Sequence, residues 1–262
     1  MALQRKPFLL LSVFTQVGEV GILVWKTFDN LFRKPREHKS LIHQIAEIGA
    51  ASLPVVSLTA AFGGLVFGLQ TYTAFHRYIG PGSEMYGGSI VSTGLAKELI
   101  PILVGLMLSG RVGSSMAAEI GTMKITEQID ALFSLGANPV RYLVVPRMLA
   151  ALFMLPCLTL YGDFIGIACG FFYNVVIEGV NHHIYWENTL MYLEVWDVFS
   201  GLIKSAIFGV VIAVIGCWQG MKTEGGAEGV GRATTRTVVI ASILILVLNF
   251  FLTRALPATL RG

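Results

Sequence analysis

The segment Ala117-Ala-Glu-Ile-Gly-Thr-Met-Lys-Ile-Thr-Glu-Gln-Ile-Asp-Ala-Leu-Phe-Ser-Leu-Gly136 is a polar stretch inside an otherwise apolar chain. It carries Glu119, Lys124, Glu127 and Asp130, and long hydrophobic runs lie on both sides of it. Charged side chains are costly inside a bilayer, so this segment is expected outside the membrane. Its apolar residues recur at spacings of three and four, which favours a short helix that binds a partner over one that rests on lipid.

The composition of the whole chain indicates a membrane protein. Of the 262 residues, 54% are hydrophobic and only 13% are charged, which is too few charged residues to cover a soluble domain. Apolar runs of about 20 residues are typical of transmembrane helices. We therefore expect an all-α membrane protein that forms a single domain over residues 1–262.

The hydropathy pattern predicts an N-terminal interfacial amphipathic helix, about five transmembrane helices and a short cytoplasmic coupling helix. The interfacial helix is expected at residues 8–32, and a basic hinge completes residues 1–49. The transmembrane bundle is expected over residues 50–256, with the coupling helix at 117–136. The expected spans are residues 50–75, 88–108, 144–176, 198–218 and 237–256, with a polar aromatic loop at 177–197 and a flexible glycine-rich loop at 220–236.

The distribution of Lys and Arg predicts the orientation. Residues 1–49 hold seven of them, residues 109–147 hold four and residues 219–236 hold three, whereas the opposite side holds only Arg77 and Arg261. Basic residues concentrate in the cytoplasmic loops of membrane proteins. The N-terminus and the segment 117–136 are therefore expected in the cytoplasm, and five crossings place the C-terminus on the periplasmic side.

The charges predicted within the spans are informative, above all Lys97, Glu98, Asp163 and Lys204. Such groups are costly in lipid and are expected to face protein or a wet cavity. They fit a polar gate or a contact for a lipid headgroup, and they fit structural ion pairs between helices equally well.

No pattern of catalytic or metal-binding residues is present. The five histidines show no metal-ligand spacing, and no Ser elbow or evident Cys–His pair occurs. The three cysteines, Cys157, Cys169 and Cys217, lie in apolar runs and are expected to pack in the membrane. We therefore expect no catalytic residue, no metal and no nucleic-acid partner.

The segment Gly226-Ala-Glu-Gly-Val-Gly231-Arg232-Ala233 has the glycine spacing of a phosphate-binding loop. However, Arg232 and Ala233 replace the Lys and the Ser or Thr that contact phosphate and magnesium, and the segment lies between membrane spans. We expect no cofactor in this chain. An energy source must then come from a partner, and residues 117–136 are the best candidate to contact it.

Several motifs resemble the MlaE/YrbE family of ABC-transporter permeases, and the likeness extends over about residues 40–255. They are Leu95-Ala-Lys-Glu-Leu-Ile-Pro101, Ser109-Gly-Arg-Val-Gly-Ser-Ser115, Ala118-Glu-Ile-Gly-Thr-Met-Lys-Ile-Thr-Glu-Gln-Ile-Asp-Ala-Leu132, Asn138-Pro139 and Gly231-Arg-Ala-Thr-Thr-Arg-Thr-Val. The resemblance implies a homodimer in the bacterial inner membrane, bound to two cytoplasmic ABC ATPase subunits that carry ATP and Mg. It further implies a small STAS-domain protein on the ATPase, a periplasmic MCE-domain hexamer, and transport of phospholipids or related lipids between the inner and outer membranes.

The resemblance also assigns roles to residues. The family's coupling helix maps onto residues 117–136. The family's lipid cavity lies between the first and second spans of the two protomers. ATPase contact is thereby expected at Glu119, Gly121, Thr126, Glu127 and Asp130, and lipid contact at Leu69, Tyr72, Phe75, Glu98, Leu99 and Ile102.

Two other functions compete with an ATP-driven permease. One is an ion- or proton-coupled transporter that uses Asp163, Glu98 and Lys204 as a relay. The other is a non-transporting membrane anchor for an MCE protein. Binding of an ATPase, dependence on a proton gradient and crosslinking of lipid at Leu69 or Leu99 distinguish the three.

Overall fold

The fold is helical throughout the residues that the computed structural model describes, which are 9–31, 38–80 and 82–256. Within these ranges there is no strand, so the predicted all-α class is confirmed. A helix also forms where an interfacial helix was predicted, whereas most of the basic hinge (residues 32–37) lies outside the described residues. The helices are α1 Leu9–Leu31, α2 Lys39–Tyr78, α3 Gly87–Ile125, α4 Gln128–Ser134, α5 Val140–Ile177, α6 His182–Tyr192, α7 Val195–Met221 and α8 Gly226–Ala255.

Five of these helices, α2, α3, α5, α7 and α8, are long and apolar enough to cross a membrane. Each is longer than the span predicted for it, because hydropathy marks only the part in contact with hydrocarbon. Backbone hydrogen bonding continues the helix into the polar flanks. For α8 this corrects the sequence interpretation: the segment from Gly226 to Arg236, predicted as flexible loop, is the first part of the helix.

The predicted polar loop at 177–197 is also wrong over most of its length, since it contains α6. Asn181 caps this helix, with its side-chain oxygen accepting hydrogen bonds from the backbone N–H groups of His183 and Ile184 at 3.0 and 3.5 Å. An Asn at this position satisfies N–H groups that have no partner within the helix. The aromatic residues that suggested an interface loop therefore lie on a short helix between α5 and α7.

The centre of the bundle is formed by α5, which packs along α2 on one side and α7 on the other. Glycines allow the closest approaches. A Cβ atom at Gly64 would overlap the carbonyl oxygen of Gly166, and one at Gly209 would lie 2.6 Å from the carbonyl oxygen of Ala151. Small residues of this kind bring helix backbones together in membrane proteins, where packing replaces much of the hydrophobic driving force.

Candidate functional site

The segment 117–136 is two helices rather than the single helix predicted. Residues 117–125 are the last turns of α3, which is continuous from Gly87, and α4 begins at Gln128. Between them Glu127 has φ 59° and ψ 12°, the left-handed conformation, which is uncommon for a residue other than glycine. The spacing of apolar residues continues across this break, so the sequence pattern does not reveal it.

The α3 part of the segment is fixed to its neighbours. Glu119 pairs with Arg147 of α5 at 2.7 Å, and the Arg147 side chain is 4% exposed. Arg147 also donates to the Leu143 carbonyl oxygen at 2.8 Å. A Cβ atom at Gly121 would lie 2.8 Å from the hydroxyl of Thr223, just after α7. A displacement of this segment must therefore displace the ends of α5 and α7.

The α4 part presents apolar side chains that this chain leaves uncovered. Phe133 is 64% exposed and Leu135, just after the helix, is 81% exposed, whereas Ile129 is buried. Thr126, Glu127 and Asp130 are exposed beside them, and Asp130 pairs with Lys124 at 3.0 Å. Exposed aromatic and aliphatic side chains rimmed by charges are typical of a protein-binding surface. We call Thr126, Glu127, Asp130, Phe133 and Leu135 the α4 surface.

Helix α1 is attached to the same end of the bundle. Its Glu19 pairs with Lys222 and accepts a hydrogen bond from the Trp218 indole at 3.2 Å. The hydrogen bond from Lys222 holds the pKa of Glu19 below its ordinary value. Farther along α1, Asn30 contacts Asn138 at 3.4 Å, just before α5. The N-terminal helix therefore lies at the end of the bundle that carries the α4 surface.

A second polar cluster lies inside the bundle toward the opposite end, and we call it the charged network. Lys204 of α7 donates to Glu98 of α3 at 2.6 Å and to the Thr253 hydroxyl of α8 at 2.8 Å. Asn249 donates to the other oxygen of Glu98 at 3.2 Å. Lys97, next to Glu98, pairs with Asp197 at 3.2 Å. The network thus joins α3 to α7 through two ion pairs, and α8 to both through the hydrogen bonds of Asn249 and Thr253.

A proline in α3 helps to explain why Lys204 can be buried. Pro101 has no N–H group, so the carbonyl oxygen four residues earlier, that of Lys97, cannot accept the usual helical hydrogen bond. The backbone adopts a π-helical turn over Leu95–Leu99, and Lys204 donates to the released Lys97 oxygen at 3.1 Å. The ammonium group therefore has three oxygen acceptors around it.

Three members of this network, Asp197, Asn249 and Thr253, were not assigned a role from the sequence, although their spacing carries a signal. Asp197 lies seven residues before Lys204, and Thr253 lies four residues after Asn249. Both spacings place side chains on one face of a helix. Arg147 was counted only as a cytoplasmic charge, and nothing in its local sequence indicates that it is buried.

The residues predicted to contact lipid have different surroundings within one protomer. Leu69 of α2 is exposed, Glu98 belongs to the charged network, and Phe75, Leu99 and Ile102 are half-buried. Tyr72 lines a cavity of about 220 Å³ with Glu178, Val180 and neighbouring residues. A cavity shared between two protomers stays a prediction.

Asp163 does not take part in the charged network. It is buried in α5, and neither of its carboxyl oxygens has a hydrogen-bond partner among the described residues. An ion-coupled transporter was considered in which Asp163, Glu98 and Lys204 form a relay. The structure pairs Glu98 with Lys204, but Asp163 forms no hydrogen bond with either of them.

The five long apolar helices define a multi-pass membrane protein, and comparison with known proteins gives its family. The family model for the MlaE permease matches residues 41–255. A probable ABC transporter permease protein of Rickettsia felis is 44% identical over 90% of each chain. A protein of the same description from Synechocystis sp. is 40% identical over 91% of this chain and 90% of its own.

A plant protein is also similar. The Arabidopsis thaliana protein named TRIGALACTOSYLDIACYLGLYCEROL 1, chloroplastic, is 36% identical over 82% of this chain and 60% of its own length. The chain belongs to the MlaE permease family. It is a membrane permease subunit, as its sequence motifs predicted.

Proposed function

We propose that this chain is the membrane-spanning subunit of an ATP-driven transporter that moves phospholipids or related lipids between the inner and outer membranes. Two copies form a homodimer in the bacterial inner membrane. A cytoplasmic ABC ATPase with its ATP and Mg binds one end, with a STAS-domain protein on it, and an MCE-domain hexamer binds the periplasmic end. The N-terminus is cytoplasmic and the C-terminus periplasmic.

The observation that carries this proposal is the α4 surface. Phe133 and Leu135 are exposed on a short helix whose neighbour, the end of α3, is attached to α5 by the Glu119–Arg147 pair. An ATPase that binds this surface and changes conformation would displace the ends of two long helices, α3 and α5. Only the short turn at Thr126 and Glu127 separates α4 from α3, and α3 is then continuous back to Gly87, so no long loop lies between the surface and the bundle.

A lipid substrate is supported by two separate observations. Helix α2 carries large exposed apolar side chains along much of its length, including Leu58, Phe62, Val66 and Leu69. A surface of this kind suits acyl chains. Independently, the Arabidopsis relative is named after a glycolipid, trigalactosyldiacylglycerol.

Co-purification of the ATPase tests the proposed partner. We expect Phe133→Glu to abolish recovery of an ABC ATPase with the tagged permease, because a charge would replace the exposed ring at the centre of the contact. Met191→Glu on α6 is the matched control, since Met191 is equally apolar and exposed but lies at the other end of the bundle. Equal recovery of the ATPase with both variants would contradict the proposal.

Photocrosslinking tests the substrate. A photoreactive residue at Leu69 is expected to capture lipid in an amount that changes when ATP is added to the complex. The same residue at Leu246, an exposed position on α8, is expected to capture surrounding bilayer lipid whether or not ATP is present. If the amount of lipid crosslinked at Leu69 is the same with and without ATP, the lipid at this position is not a transported substrate.

A further inference from the structure

The middle of α5 carries an acidic side chain in surroundings that offer it no partner. Asp163 is 3% exposed, and both of its carboxyl oxygens lack a hydrogen-bond partner among the described residues. One helical turn earlier, the hydroxyl of Thr159 is fully buried and also unpartnered. Because one protomer already covers Asp163, a second copy of the chain would not reach it.

The charges on the neighbouring helices are already balanced. Along this part of α5 the packed elements are α2, α3 and α7. Helix α3 contributes Lys97 and Glu98, and helix α7 contributes Asp197 and Lys204. These four groups form two ion pairs, Lys97–Asp197 and Lys204–Glu98, with no net charge left over for Asp163.

The remaining ionisable groups form no hydrogen bond with Asp163 either. On α3, Arg111 donates instead to the Ser52 hydroxyl at 2.7 Å. Between residues 53 and 75, α2 has no acidic or basic side chain, and its one titratable group is the phenol of Tyr72. On α5 itself, the Tyr161 hydroxyl bonds Ser57 at 2.8 Å. Arg147 is committed to Glu119 and lies sixteen residues before Asp163, about 24 Å along the helix.

An isolated carboxylate in such a place would be very unfavourable, because burial removes its hydration and nothing replaces it. We propose that Asp163 is a proton-binding site, at which the carboxyl is carried in the packed bundle as the neutral acid. Binding of the proton favours the closed packing of α5. If the transport cycle opens α5 to water at this level, the proton is released, because aspartic acid in water ionises well below neutral pH.

The sequence permits a test in the unaltered protein. It contains four aspartates, Asp29, Asp130, Asp163 and Asp197, and only Asp163 is followed by phenylalanine. Labelling aspartate with ¹³C and phenylalanine with ¹⁵N therefore identifies the Asp163 signals by solid-state NMR in lipid bilayers. At neutral pH, the Asp163 carboxyl is expected to resonate as a carboxylic acid.

The other aspartates serve as internal controls. Asp130 and Asp197 are paired with Lys124 and Lys97, so both should resonate as carboxylates in the same sample. In infrared spectra the carboxylic-acid band is expected to be lost in Asp163→Asn. A carboxylate signal from Asp163 at neutral pH, with or without added sodium, would overturn the proposal. The outcome does not depend on which substrate is transported.

Discussion

Lys204 is 1% exposed in the middle of an apolar helix, yet three oxygen atoms receive its ammonium protons. One acceptor is available only because Pro101 interrupts the hydrogen bonding of α3. A buried ion pair is unfavourable to break, since the partner that remains is left without compensation.

Replacing Lys204 with Met is expected to destabilise the permease by about 2 kcal/mol, less than for a fully buried pair because Glu98 keeps about a third of its side chain exposed. Adding Glu98→Gln should restore part of the loss by removing the unpaired charge. Thermal unfolding in detergent measures both. The control is Lys124→Met in the exposed pair with Asp130, expected to cost less than about 0.5 kcal/mol. Equal losses in the two Lys variants would contradict the assignment.

Glu127 gives a second prediction, because its left-handed backbone and its charge can be altered separately. Glycine adopts this conformation without the cost of about 1 kcal/mol that an L side chain bears. Glu127→Gly should therefore preserve or raise thermal stability, whereas the β-branched Glu127→Val should lower it. Asn tolerates the conformation and removes the charge, so Glu127→Asn should bind the ATPase more weakly without unfolding earlier. Unchanged ATPase affinity in that variant would exclude the carboxylate as a contact.

At the scale of helices, the close contact of α2 with α5 depends on the absence of a side chain. A methyl group at Gly64 would overlap the Gly166 carbonyl oxygen, and backbone cannot move aside as a flexible side chain can. Gly64→Ala is expected to lower the unfolding midpoint clearly. Gly21→Ala on α1 has open space around the new methyl group and should be neutral or slightly stabilising, since Ala favours helix by about 1 kcal/mol. A harmless Gly64→Ala would contradict the packing described for these helices.

The number and order of the membrane helices could be predicted from the sequence, because long apolar runs have few alternatives. The ends of the helices could not, since a helix leaving the bilayer loses its hydropathy signal but keeps its hydrogen bonds. That is why Gly226–Arg236 and the residues of α6 were both assigned to loops. Asn181, a good N-cap residue, was the available sign of α6.

The candidate sites were predictable to different degrees. The polar character of 117–136 marked it for a partner, but its division at Glu127 depends on how α4 folds back on the end of α3. The intramembrane charges could be identified one by one, whereas their pairing required the packing of α3, α7 and α8. The separation of Asp163 from those pairs was likewise visible only after the helices were placed.

Over the whole molecule, the two ends of the bundle differ in the helices and the charged residues that they carry. One end carries α1, the α4 surface and most of the basic residues that the structure describes, and the other carries α6 and the turn after α2. The two ion pairs of the charged network join α3 to α7, and hydrogen bonds from Thr253 and Asn249 add α8. This arrangement suits a transporter in which a conformational change of a partner bound at α4 alters the packing of α3 against α5 and α7.

The most direct test of that account is lipid movement by the permease reconstituted in vesicles with its ATPase. Wild-type protein is expected to move lipid only when ATP is present, and to continue when the proton gradient is dissipated. Phe133→Glu is expected to abolish this movement, while Met191→Glu leaves the dependence on ATP in place. Lipid movement that proceeds without the ATPase and stops when an ion gradient is removed would show that energy does not enter through the α4 surface.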